Sequence, residues 1–313
     1  MFGPNQILKT NASDLLQDLD LTGDELLYLL ELAGEVKGSP SDYGRALEGK
    51  SIAMLFEKPS LRTKLTFELA MKQMGGGSVF IEGPIGVREP LKDVARNLDR
   101  WTNGIVARVF LQTTVEDLAR WSRVPVINAL SDLYHPCQAL ADMQTIRERF
   151  GVSVLEGLKL AFVGDGNNVA QSLMLCSLRL GMDFALACPE GYLPNPDIVA
   201  TAEGLAAVSG ASLLITHDTA AAVEGAHAVY TDVWTSMGQE QEMAKRKRAF
   251  HAYQVNDALF ALARPDAIFM HCLPAKRDEE VTDSIMEHGR SAIFDQAENR
   301  LHAQKALLLM MLT

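Results

Sequence analysis

A chain of 313 residues, 48% hydrophobic and 22% charged, has the length of two ordinary domains and the composition of a globular protein able to bury a sizeable core. Its net charge of −11, from 29 basic and 40 acidic side chains, argues against a nucleic-acid groove and against an anionic membrane surface, so any small-anion site must be built from cations acting locally. No apolar run approaches the ~18 residues that span a bilayer, no signal-peptide pattern opens the chain, and Cys137, Cys176, Cys188 and Cys272 form neither a CxxC pair nor metal-ligand spacing, which together predict a cytoplasmic protein with reduced thiols.

In chain order, Thr22 to Glu25 reads as a capping box, followed by Leu26, Leu29, Leu30, Ala33 and Val36 at helical spacing, with Gly38 and Pro40 as the stop. Residues 51–56 form a short apolar run, a buried strand. Residues 64–74 read as a helix ended by Gly75-Gly76-Gly77, and 79–81 as a second strand. Helix 89–101, strand 105–110, helix 115–121 and strand 124–128 follow. A long helix from Pro136 to about Phe150 leads into a second half. That half carries strands at 158–163, 184–188, 213–216, 228–231 and 267–270, a helix at 168–180, and a last short strand at Ile293-Phe294. Residues 296–312 are a final helix expected to return to the first domain. This alternation predicts an α/β fold of two doubly wound parallel-sheet domains linked by long helices. The expected domains are 1–145, completed by the returning helix 297–313, and 146–296.

Five polar motifs fall at the carboxyl ends of predicted strands, where open α/β sheets bind ligands. Ser60-Leu61-Arg62-Thr63-Lys64 opens a helix. Free N–H groups there, with the hydroxyls of Ser60 and Thr63 and the fork of Arg62, suit a phosphate; an N-cap serine followed by a solvated arginine is the plainer alternative. Arg108 ends an apolar strand and is either half of a buried ion pair or a second arm on the same anion. His135 and Gln138, three apart at a helix start, can reach one ligand, with His135 donating to a carbonyl oxygen, unless the histidine is only a cap. Gly164-Asp165-Gly166-Asn167-Asn168-Val169-Ala170 fits a relaxed dinucleotide fingerprint, with Glu190 as the ribose acid; the two asparagines are better read as amide hands for a carboxylate or amine. Asp232 ends another apolar strand and can pair with an ammonium group. Ser236-Met237-Gly238 lies in a loop able to close, or is a surface turn. His271-Cys272-Leu273-Pro274 lacks the partner pattern of a thiol nucleophile, which favours a positioning role for Cys272 and for the Leu273 carbonyl. Arg300, early in the last helix, is a third cation or a surface residue.

The ordered set SxRT, HPCQ, DGNN, DxWxSMG, HCLP and ENRLH resembles the ornithine carbamoyltransferases, over about residues 21–308. The SMG loop and HCLP separate that family from the aspartate carbamoyltransferases, which share only the phosphate motif and the HPxQ region. The resemblance implies carbamoyl transfer from carbamoyl phosphate to ornithine, giving citrulline and phosphate in arginine metabolism. It implies no metal or organic cofactor, and a trimer with sites at subunit interfaces. Carried onto this chain, Ser60, Leu61, Arg62, Thr63 and Arg108 would grip the phosphate. His135, Gln138, Cys272, Leu273 and Arg300 would complete the carbamoyl phosphate site. Asn168, Asp232, Ser236 and Met237 would bind ornithine. Arg62, Arg108, His135 and Cys272 would be the catalytic group.

Two positions depart from the pattern. Lys64 replaces the usual arginine and cannot make its planar fork. Pro84 stands where many members carry glutamine, two residues before Gly86, ahead of the expected neighbour-subunit segment 86–90. Relatives acting on acylated ornithines differ in this region; the SMG loop favours free ornithine. The rival readings are a nicotinamide-dependent oxidoreductase, resting on the glycine fingerprint, and a silent paralogue that binds without turnover, motivated by Lys64 and Pro84.

Overall fold

The computed structural model describes residues 7–236, 238 and 240–313. The chain divides into two compact units. One runs to Gln144 and takes in Glu298–Thr313; the other is Thr145–Ala297.

The first unit opens with helix α1 (Gly23–Gly38), started by the Thr22/Glu25 capping box. It continues through β1 (Ser51–Phe56), α2 (Leu61–Gln73), β2 (Gly77–Glu82), α3 (Leu91–Trp101), β3 (Gly104–Arg108), α4 (Gln112–Trp121), β4 (Val126–Leu130) and the long α5 (Pro136–Phe150). Its four strands are all parallel, in the order β2-β1-β3-β4. Strands β1, β3 and β4 are buried along nearly their whole length, as continuous apolar runs require when helices cover both faces. The β4 edge is covered: Leu15 bridges Ile127, and the buried Asn128 donates from Nδ2 to the Leu16 carbonyl at 2.8 Å. At the other edge, β2 leaves Val79 and Ile81 exposed.

The second unit contains β5 (Lys159–Val163), α6 (Asn168–Arg179), β6 (Asp183–Ala187), α7 (Pro196–Ser209), β7 (Leu213–Thr216), α8 (Thr219–Val223), β8 (Ala228–Thr231), α9 (Met243–Phe250), α10 (Asp257–Phe260), β9 (Ile268–His271) and α11 (Asp283–Met286). Its parallel sheet runs β7-β6-β5-β8-β9. Ala161, Val163, Val229, Phe250 and Phe269 lie in one buried cluster on it. Helix α12 (Ile293–Leu312) begins in this unit, and its greater part belongs to the first.

One predicted element is wrong. Ile293-Phe294 is not a strand but the first turn of α12. Sheet pairing in that stretch falls earlier, where Ser291 bridges Phe269 and the Ala292 N–H donates to the Phe269 carbonyl. Ile293 is buried while Phe294 is exposed, a pattern that two residues cannot assign to a period. Strand β4 also starts two residues later than expected, just beyond Pro125.

Each sheet has one switch point. In the first unit β1 stands between β2 and β3; in the second, β5 stands between β6 and β8. Crevices outside the carboxyl ends of such strand pairs are where doubly wound sheets bind ligands.

Candidate active site

At the β1/β3 switch point, β1 ends in Phe56 and the turn Glu57-Lys58-Pro59 leads into α2. Ser60 is its N-cap, extended at φ −158° and ψ 115°, and its Oγ accepts from the Thr63 N–H at 3.3 Å. The hydroxyl still has its own proton to give. Leu61 turns its side chain to solvent, 70% exposed, so only its backbone N–H, in the first turn of α2, is in position to meet an anion. Arg62 is half-buried. Arg108 ends β3 beside a register shift against β4 and is 6% exposed.

Arg300 joins this turn to the His135 motif. It is 2% exposed on α12, and its guanidinium donates from Nη2 to Thr63 Oγ1 at 3.0 Å and from Nη1 to Gln138 Oε1 at 2.6 Å. Gln138 in turn donates from Nε2 to Asp142 Oδ1 at 2.8 Å, which fixes the orientation of its amide. Thr63 accepts from Arg300, so its hydroxyl proton points elsewhere. Residues 237 positions apart in sequence thus share one hydrogen bond.

His135 immediately precedes α5 and is 6% exposed; its carbonyl accepts from the Gln138 and Ala139 N–H groups. Burial, and then the charges of Arg300, Arg108, Arg62 and Lys58, hold its pKa well below the ordinary imidazole value. It is therefore neutral near pH 7, a hydrogen-bond donor rather than a cation. Cys137 beside it is a packing residue: burial pushes its thiol up to about 12, and Sγ donates to the Asn128 carbonyl at 3.4 Å.

Sequence reasoning missed two residues here. Lys58 lies with its ammonium 4.7 Å from the Phe110 ring centroid, and burial and then Arg108 lower its pKa. Glu57 accepts from the Ile85 N–H at 3.3 Å and from the Phe110 N–H at 2.9 Å, stitching the segments beyond β2 and β3 to the end of β1. Their position in the same turn as Ser60 was the available signal. Lys64, the departure from the usual arginine, places its ammonium 3.8 Å from the Phe80 ring centroid on β2. The segment 86–90 is largely exposed.

In the second unit, the β5/β8 switch point is flanked by the Asp165–Asn168 turn and Asp232. Asn167 caps α6, with Oδ1 accepting from the Val169 and Ala170 N–H groups, and its Nδ2 donates to Asp232 Oδ2 at 2.9 Å. The other oxygen of Asp232 accepts from the Val233 N–H at 2.8 Å and from Cys272 Sγ at 3.0 Å. Asn168 and Ser236 are half-buried nearby in sequence; Met237 lies outside the described residues.

The dinucleotide reading fails on this geometry. A Cβ on Gly166 would sit 2.4 Å from the Pro194 nitrogen and 2.7 Å from the Leu193 carbonyl carbon. The chain's own Leu193-Pro194 backbone packs against Gly166, where the fingerprint requires a pyrophosphate to approach. The two helix-start N–H groups are likewise taken by Asn167.

His271, Cys272 and Asp232 bring their ligand atoms within 4.8 Å of one another. Both imidazole nitrogens are nevertheless engaged: Nδ1 accepts from the Leu273 N–H at 2.9 Å, and Nε2 faces the buried Glu280 at 3.2 Å. Only a thiol and a carboxylate remain, too few for a metal centre. His271 instead holds the backbone at Leu273, where φ is +60° and a cis peptide bond precedes Pro274. That residue and Glu280 carried no sequence signal of this role.

Residues 13–148 match the family model described as the carbamoyl-P binding domain of aspartate/ornithine carbamoyltransferase. Residues 156–311 match the Asp/Orn binding domain. An ornithine carbamoyltransferase from Thermococcus kodakarensis is 49% identical, with 98% of each chain covered. Among solved structures, the ornithine carbamoyltransferase from Pyrococcus furiosus superposes with a TM-score of 0.93 at 47% identity, over 96% of this chain and 97% of that one. An acetylornithine transcarbamylase complexed with acetylcitrulline gives 0.87 at 32% identity, over 96% and 99%. Two family models that between them take in most of the chain, and relatives at nearly half identity over its length, place it in one group: the chain belongs to the aspartate/ornithine carbamoyltransferase family.

Proposed function

We propose that this protein transfers the carbamoyl group of carbamoyl phosphate to the δ-amine of L-ornithine, giving L-citrulline and phosphate. The observation that carries the reading is the Arg300 fork, which draws Thr63 of the phosphate motif and Gln138 of the carbamoyl motif onto one buried cation. Phosphate is gripped by the first-turn N–H groups of α2, by Ser60, Leu61 (through its N–H), Arg62 and Thr63, and by Arg108. His135, Gln138, Arg300, Cys272 and Leu273 hold the carbamoyl group. Asn168, Asp232, Ser236 and Met237 hold ornithine, with Asp232 as the counter-charge to an ammonium.

The neutral δ-amine attacks the carbamoyl carbon. The C–N bond forms as the C–O bond to phosphate breaks, phosphate departs with the bonding pair, and the proton shed by the nitrogen is taken up by the departing phosphate. Charge on the carbonyl oxygen is met by the neutral His135 N–H, Arg108 and the Thr63 hydroxyl. Charge on the departing phosphate is met by Arg62 and Arg108. Carbamoyl phosphate is already an activated acyl donor, so the scheme invokes no cofactor or metal. Holding both reactants in position can supply about 7–11 kcal/mol of the barrier. The amine must be deprotonated, so activity rises with pH.

A cytoplasmic location is supported by four free cysteines; no helix among the described residues is long and apolar enough to cross a membrane. A homotrimer is supported by an exposed apolar stripe on α2 (Leu61, Leu65, Leu69) and by Val79 and Ile81 on the adjoining β2 edge. The function is tested by citrulline formation with ornithine, run beside N-acetylornithine, N-succinylornithine, putrescine and aspartate. Turnover of ornithine alone is expected. Preference for an acylated ornithine would keep the chemistry and replace the substrate, and absence of all turnover would favour the silent paralogue.

A further inference from the structure

We propose that Arg246 is a positioning residue for the amino-acid substrate: one buried guanidinium ties both ends of the loop after Asp232 to the turn that carries Asn167 and Asn168. The inference rests on the ornithine reading and deepens it.

Arg246 lies on α9, in a stretch whose charges otherwise face solvent, yet it is itself only 6% exposed. From Nη1 it donates to Asp165 Oδ2 at 2.6 Å and to the Trp234 carbonyl at 3.1 Å; from Nε it donates to Glu242 Oε2 at 3.1 Å. Trp234 stands before, and Glu242 after, the segment 235–241 that contains the Ser236 motif. The same side chain therefore brackets that segment. Its guanidinium also lies 5.0 Å from the Tyr192 ring, and Tyr192 and Trp234 both pack on Phe250, which holds α9 in place from the apolar side. Asp165 is two residues before Asn167, whose amide holds Asp232. One connected network thus runs from the loop through Arg246 and the Asp165 turn to the carboxylate that meets the substrate ammonium.

A substrate that needs Asp232 and Ser236 arranged together binds in proportion to the fraction of molecules already so arranged. Loss of the Arg246 fork releases the Trp234 carbonyl and Glu242 and strands Asp165 as a buried, unpaired carboxylate. The loss falls on the affinity for the amino acid. Lysine, a point charge without the planar fork, can serve one of the three acceptors but not all.

The test is steady-state kinetics of wild type, Arg246→Lys, Arg246→Gln, Asp165→Asn and the double variant Asp165→Asn/Arg246→Gln, varying ornithine and carbamoyl phosphate separately. Expected is a rise in KM for ornithine of at least tenfold in Arg246→Gln and Asp165→Asn, and a smaller rise in Arg246→Lys. The double variant is no worse than the worse single variant, because both act through one pair. kcat stays within about threefold and KM for carbamoyl phosphate within about twofold. An unchanged KM for ornithine, or equal losses for both substrates, would overturn the inference. If Arg246→Gln does not fold, Arg246→Lys and Asp165→Asn decide by the same criterion. Trypsin cleavage after Lys245 and Lys247, both on α9, supplies a readout free of turnover: it accelerates in Asp165→Asn if α9 is released from the Asp165 turn, and an unchanged rate overturns the proposal. If wild type prefers another amine, the ornithine reading falls, while the KM ratio for that amine and the trypsin rates still judge Arg246.

Discussion

Replacing Arg300 with methionine keeps length and apolar stem while removing the charge and both forks. In the structure the guanidinium donates buried hydrogen bonds to Gln138 and Thr63, and it adds to a cluster that already contains Arg62, Arg108 and Lys58. Two opposing effects bear on stability. Each charge-assisted bond contributes about 1.5–3 kcal/mol, but the buried cation carries a desolvation cost of several kcal/mol and repels its neighbours, so the net change in unfolding free energy stays within about 2 kcal/mol. Binding has no such compensation. Loss of one charge-assisted contact to carbamoyl phosphate, about 1.5–3 kcal/mol, weakens its Kd roughly 10- to 150-fold. After burial, Arg300 is the largest influence holding the His135 pKa down, so the variant moves that pKa up toward the ordinary value. The linkage has a definite sign. Unfolded His135 takes up a proton near 6.5 while the folded residue does not, so its contribution to stability is nil well above pH 6.5 and becomes a growing penalty below it. In Arg300→Met that acid-side penalty is shallower. The assays are calorimetry with carbamoyl phosphate, NMR titration of His135, and denaturant melts from pH 5 to 8. An unaltered Kd together with an unmoved His135 titration would refute the role assigned to this fork.

Gly166→Ala drives a Cβ into the Leu193-Pro194 backbone, which cannot rotate away, and disturbs the Asn195 N–H bond to Gln171 at 2.7 Å; a loss of ~1–3 kcal/mol is expected in denaturant melts, and wild-type stability would show that the segment yields. Asp232→Asn removes the proposed counter-charge to the substrate ammonium, and KM for ornithine is expected to rise about 10- to 150-fold with carbamoyl phosphate affinity intact; steady-state kinetics would count against it if both substrates suffered alike. Leu65→Lys with Leu69→Lys places charges in the exposed stripe on α2; if the proposed trimer forms through that face, sedimentation shifts to a smaller species than wild type, and an unchanged mass would remove the face from the interface.

Much of the fold was legible because buried parallel strands are continuous apolar runs. The buried runs 51–56 and 228–231 were bounded to the residue, and so was the half-exposed edge strand 213–216. Polar interruptions at strand ends then drew attention to Ser60, Arg108, His135, Asn168, Asp232 and Cys272. What was not legible is of another kind. Ile293-Phe294 is too short to show a period. Glu57, Glu280 and Arg246 look like ordinary surface charges in sequence, and only the partners folded around them, from Ile85 and Phe110 to Asp165, give them work. Conversely, Asn167 was read as a hand for a ligand, and its side chain is occupied in capping α6 and holding Asp232. A sequence shows which residues can bond but not which bonds are already taken.

The cation cluster has to be explained against the chain's own charge. With a net charge of −11, long-range attraction does not favour an anionic substrate, and at 0.15 M ionic strength fields fade within about 8 Å in any case. Affinity must come from short range. The fold achieves this by ending separate strands and one distant helix at a single place, so that Lys58, Arg62, Arg108 and Arg300 all act on His135. Gathering like charges is costly unless each is held by other means. Arg300 is held by Thr63 and Gln138, and Lys58 by the face of Phe110. The same repulsion keeps His135 neutral, and so available as a donor when charge develops on a carbonyl oxygen. A fifth permanent cation would bind the anionic ground state and the transition state alike, whereas a neutral N–H strengthens as the oxygen gains charge. On the proposed function the cluster does two things with one arrangement: it would bind the phosphate, and it sets the protonation state of His135, the residue proposed to answer the reaction.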